Sequence, residues 1–101
     1  MQYEHVIEKT LRDVRDLLLA NLAPSRTLPD DRTVACLLAI MGTPQVGHAL
    51  ERGNDTALCF VLREIKRILS DRLQSPRAAI NRLWSIMDEP ELKRALGIKQ
   101  N

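Results

Sequence analysis

The stretch Asp55–Leu73, DTALCFVLREIKRILSDRL, restricts the fold of this chain more than any other. Six apolar residues run without a break from Ala57 to Leu62, and Ile65, Ile68, Leu69 and Leu73 then recur on one side. That pattern predicts a helix that is apolar all round at its start and one-faced afterwards. The expectation is a central helix, its first half buried on every side and its second half wet along Arg63, Lys66, Arg67 and Arg72. Leu58, Leu62, Ile65 and Leu69 are expected to be almost fully buried.

The rest of the chain reads as helices separated by turn residues. Ile7, Leu11, Val14, Leu18 and Leu22 stand four and three apart and define a first helix over residues 3–22. Pro24, Ser25 and Pro29 make 23–29 a loop. Asp30 or Asp31 is placed to cap a second helix to Met41, whose run VACLLAIM predicts a second fully buried element. Gly42 ends it. Thr43-Pro44 then caps and starts a third helix to Arg52, closed by Gly53. Asn54 or Asp55 is the expected cap of the fourth. Ser75-Pro76 starts a fifth to Met87, with Ile80, Leu83, Trp84 and Met87 inward, and Glu89-Pro90 starts a short sixth that ends before Gly97. No window alternates with period two over strand length. The fold class is therefore all-α, a compact single-domain bundle of five to six helices spanning residues 1–101, with the fourth (about 55–73) central.

Composition narrows the function. Aromatic residues make up only 3% of the 101 residues, so the core is aliphatic, as helix packing prefers. Cys36 and Cys59 lie inside apolar runs and read as buried free thiols of a reduced compartment. The N-terminus opens with polar residues and shows no signal peptide. The longest apolar run, Val34–Met41, is too short to cross a bilayer. These features predict a cytoplasmic protein with no membrane contact. The net charge of +2 does not by itself imply a polyanion partner.

Charge is nevertheless uneven. Between Arg63 and Arg82 six bases (Arg63, Lys66, Arg67, Arg72, Arg77, Arg82) face two acids, Glu64 and Asp71. Spacings of three and four place Arg63, Lys66 and Arg67 on one helix face, where they could follow phosphates or an acidic partner. The bland alternative is a solvated face. A second nucleic-acid candidate is a helix-turn-helix-like corner at 32–53, whose second helix carries Gln45, His48 and Arg52, residue types that can read base edges. Glu51 and Gly47 on that short helix weigh against it.

The string His48-Ala49-Leu50-Glu51-Arg52-Gly53 resembles the phosphorelay motif of histidine-phosphotransfer domains over those six residues alone. The Lys expected three after the His is missing, the Gly stands at five rather than four, and the helix breaks where that family's continues. The family is not assigned, and an exposed His48 is what remains.

Cysteines and histidines show no metal-ligand spacing, and no glycine-rich phosphate loop is present. The carboxylates sit on polar faces or at caps. A non-enzymatic module without metal or cofactor is expected. The preferred reading is a small regulatory or protein-interaction module that binds another protein, or itself as a homodimer, through helix faces. The seam proposed for self-association is Ile7, Leu11, Val14 and Leu18. The alternative is a nucleic-acid binder using the basic face of helices four and five or the 32–53 corner.

Overall fold

A computed structural model describes residues 3–22, 24–52 and 56–98. The described residues form six helices and no strand: α1 (Tyr3–Asn21), α2 (Asp30–Met41), α3 (Pro44–Arg52), α4 (Ala57–Leu69), α5 (Pro76–Met87) and α6 (Pro90–Ala95). The radius of gyration, 13.1 Å, is what a compact domain of about 100 residues has, roughly 13 Å. The class is all-α.

Local signals set most of the boundaries. Ser75 accepts a hydrogen bond from the Ala78 N–H, with Pro76 at the first helical position of α5. Thr43 Oγ1 accepts from Val46 N–H at the start of α3. After α6, Gly97 takes φ +71°, its N–H bonds to the Arg94 carbonyl, and the Ile98 N–H reaches back to Lys93. This is a Schellman ending, and a Cβ at that φ would be strained. Gly53, Asn54 and Asp55, the expected stop and cap, lie outside the described residues. Within them the N-cap of α4 is Thr56, whose Oγ1 accepts from Cys59 N–H. Pro29, not Asp30 or Asp31, stands at the N-cap of α2, and it makes no side-chain cap bond.

Three expected burials are corrected. The fourth helix stops at Leu69, and Leu73 is 99% exposed in the following loop. Ser70 Oγ donates back to the Lys66 carbonyl, and Asp71 Oδ1 accepts from the Leu73 N–H. Such side-chain bonds offer the backbone an alternative to the helix. The start of α4 is not buried all round either. Its core stripe is Cys59, Leu62, Ile65, Ile68 and Leu69, while Leu58 and Val61 are half-buried and Phe60 is 56% exposed. The run VACLLAIM likewise buries one face only. Leu37 and Met41 are inside with Thr33 ahead of them, whereas Ala35, Leu38 and Ala39 are exposed. A chain of this size has too few elements to cover a helix on every side.

One hydrophobic cluster draws on all six helices. α1, α2 and α4 each pack against four other helices, and α1, α2, α4 and α5 all pack on one another, so the fourth helix shares the centre with the first and second. The stripe Ile7, Leu11, Val14 and Leu18 is buried in this core at 0–2% exposure. That corrects the self-association seam: the same chain already covers all four side chains, and none is available to a second copy. Large exposed apolar side chains stand at the end of α1 and just beyond it, Leu19 and Leu22.

Candidate functional site

The six bases expected to form one cationic face are largely spent on the fold. Arg63 Nη2 donates to the Leu50 carbonyl at 3.0 Å, satisfying a carbonyl in the last turn of α3. Its guanidinium also lies over the Phe60 ring, 5.6 Å from the centroid. Arg67 makes a two-pronged bond to Glu64 one turn earlier, through Nε at 2.8 Å and through Nη2. That bond holds the Glu64 carboxyl below its ordinary pKa and raises that of Arg67. Arg77 reaches Asn21 Oδ1 at 3.3 Å and Asp30 at 3.4 Å, while Asn21 Nδ2 donates to Asp30 and to the Leu28 carbonyl. Asn21 is buried, so this knot ties the end of α1, the loop after it and the starts of α2 and α5. Arg82 bonds Gln74 Oε1 at 2.7 Å and pairs with Asp71 at 3.4 Å, fixing the loop between α4 and α5. Lys66 and Arg72 are exposed and make no ion pair with another described residue.

The 32–53 corner is shallower than its candidate role needs. The chain bends by 62° between α2 and α3, against about 90–120° for a helix-turn-helix. Gln45, His48 and Arg52 are all exposed and stand three and four apart on the outer side of α3, opposite buried Val46, Ala49 and Leu50.

A groove that sequence reasoning did not anticipate lies at the opposite end of the chain. The start of α4, the end of α5 and α6 enclose about 250 Å³ lined by Ala57, Leu58, Val61, Ile86, Leu92 and Ala95, with Glu89 and Glu91 at its edge. A second hollow of about 230 Å³ adjoins it through the shared Leu58 and is lined by Glu4, Ile7, Glu8 and Thr56. α6 is held there by Leu92 and Leu96 in the core and by the Gly97 turn. The floor is aliphatic and open to solvent. One signal for it stood in the sequence: Ala57–Leu62 carries more apolar side chains than a single core stripe uses.

The two thiols differ. Cys59 is buried, whereas Cys36 is half-buried beside Asp13, Asp16 and Leu17 between α1 and α2, which corrects the expectation that both are hidden. Among the described residues no group of three or more His, Cys, Asp or Glu side chains is arranged to hold a metal ion, and no single helix is long and apolar enough to cross a membrane. Comparison with protein-family models, with curated proteins and with solved structures gave no match.

Proposed function

We propose that this protein is a small, non-enzymatic, cytoplasmic interaction module that receives side chains of a partner protein in the groove between α4, α5 and α6. The observation that carries this reading is the open aliphatic floor of Ala57, Leu58, Val61, Ile86, Leu92 and Ala95. Its volume, about 250 Å³, falls below the roughly 300–1,000 Å³ of small-molecule sites. It suits a few aliphatic side chains from a partner better than a whole ligand. Apolar floor under a polar edge is also the anatomy of helix-in-groove recognition.

The test is affinity capture from nuclease-treated native lysate with wild type and with Ala95→Trp, a neutral plug at an exposed lining position. A protein retained by wild type and lost by Ala95→Trp supports the reading. Partners held equally by both would place the interaction elsewhere.

A second reading, nucleic-acid binding, is favoured by the exposed Lys66 and Arg72, which make no ion pair among the described residues, and by the outward row Gln45, His48 and Arg52. It predicts binding to a labelled duplex or single strand that falls steeply with salt and is lost in Lys66→Glu. No binding at low salt would dismiss it.

A further inference from the structure

Resting on that reading of the groove, we infer that its occupant is a basic amphipathic helix of another protein, its apolar stripe on the aliphatic floor and its Lys or Arg residues against the rim. Charge complementarity carries the choice. Among the described residues the two adjoining hollows are lined by four carboxylates, Glu4, Glu8, Glu89 and Glu91, and by no Lys, Arg or His. This holds in a chain whose net charge is +2, so acid is concentrated here against the overall balance. Three of the four are solvent-exposed and make no ion pair with another described residue: Glu4, Glu89 and Glu91. Two nearby cations are already committed, Arg12 to Glu8 at 2.8 Å and Lys93 to Asp88 at 3.6 Å, while Arg94, exposed on α6, does not line either hollow.

The rim residues come from two elements, one pair at each of the hollows that meet at Leu58. Glu4 and Glu8 stand one turn apart on α1, and Glu89 and Glu91 bracket the start of α6. A helix lying between them presents apolar residues downwards at spacings of three and four and cations to both flanks. An acidic or neutral helix would fit the floor equally but would set like charges, or none, against the rim. Electrostatic complementarity of this kind selects among partners more than it adds raw affinity.

The probes are two labelled amphipathic helix peptides of the same apolar pattern, one Leu/Lys and one Leu/Glu, titrated by fluorescence anisotropy at moderate salt. The expected result is micromolar binding of the Leu/Lys peptide and at least about tenfold weaker binding of the Leu/Glu peptide. Reversing the rim with Glu89→Lys and Glu91→Lys together should invert that preference, and Ala95→Trp should abolish both. Glu4→Lys, on a different helix, gives the same readout if α6 does not tolerate reversal.

Equal binding of both peptides, lost in Ala95→Trp, would keep the groove as a docking site and overturn its basic partner. Binding indifferent to Ala95→Trp, or none at all, would remove the groove itself and the inference with it. Concentration-dependent dimerisation of wild type that Ala95→Trp abolishes would make a second copy the occupant and overturn the inference in another way.

Discussion

Arg77 and Lys66 are the same charge in the same basic run and have opposite fates. Arg77 is half-buried against Asn21 and Asp30, and Lys66 is exposed with no ion pair among the described residues. Nothing in the spacing distinguishes them, because the partners of Arg77 stand far away in the chain, Asn21 by 56 positions. Truncating Asn21 leaves its partners in a buried site, so Asn21→Ala should cost about 1–3 kcal/mol in urea unfolding. Lys66→Ala should stay within about 0.5 kcal/mol. A similar contrast separates the thiols. A bulky thiol reagent should label one cysteine in the native protein and both after unfolding, and Cys36→Ala should remove the native signal. Native labelling of Cys59, which is fully buried, would contradict the packing of α4.

At the scale of the element, the boundaries were legible wherever one residue type has one mechanical use. Ser75-Pro76, Thr43-Pro44, Glu89-Pro90 and Gly97 each fixed an end from within a few residues. The end of α4 was not legible, because Ser70 and Asp71 can sit on a helix or turn out of it, and their local hydrogen bonds decide. Burial was legible as a stripe but not as a whole circumference. Steps of three recovered Leu62, Ile65 and Ile68, while the unbroken run Ala57–Leu62 gave no means of saying which neighbour covers it. No neighbour covers it fully, and the groove is the result.

The same distinction predicts mutational costs along α4 and the loop that follows it. Leu62→Ala should cost about 2–5 kcal/mol, since Leu62 is fully enclosed. Leu73→Ser, at an open loop position, should change stability by less than about 0.5 kcal/mol. On α1, Leu11→Glu puts a carboxylate where exposure is 0%, so circular dichroism should report loss of fold rather than a folded monomer.

For the whole molecule, the question is what the last short helix contributes. α6 spans Pro90–Ala95, too short to be helical alone in water, so packing must hold it. Leu92 and Leu96 are its anchors, at 6% and 0% exposure, and Ile98 packs on the core beside them. Burying a Leu side chain contributes about 1.5–3 kcal/mol, and areas taken from a folded structure overstate it. Two such residues stand against a total stability of about 5–15 kcal/mol for an ordinary domain. A chain ending at Glu89 should therefore lose several kcal/mol, with a lower urea midpoint. It should also lose peptide binding, because Glu91, Leu92 and Ala95 line the groove.

The pair Leu92→Ala and Ala95→Trp separates those two consequences. Leu92→Ala empties a core position and should lower stability by about 2–5 kcal/mol. Ala95→Trp, at an exposed site, should leave the urea midpoint nearly unchanged while blocking the groove. If Ala95→Trp unfolds the chain to the same extent, α6 is a structural lid with no room above it, and the docking role of this end of the molecule falls.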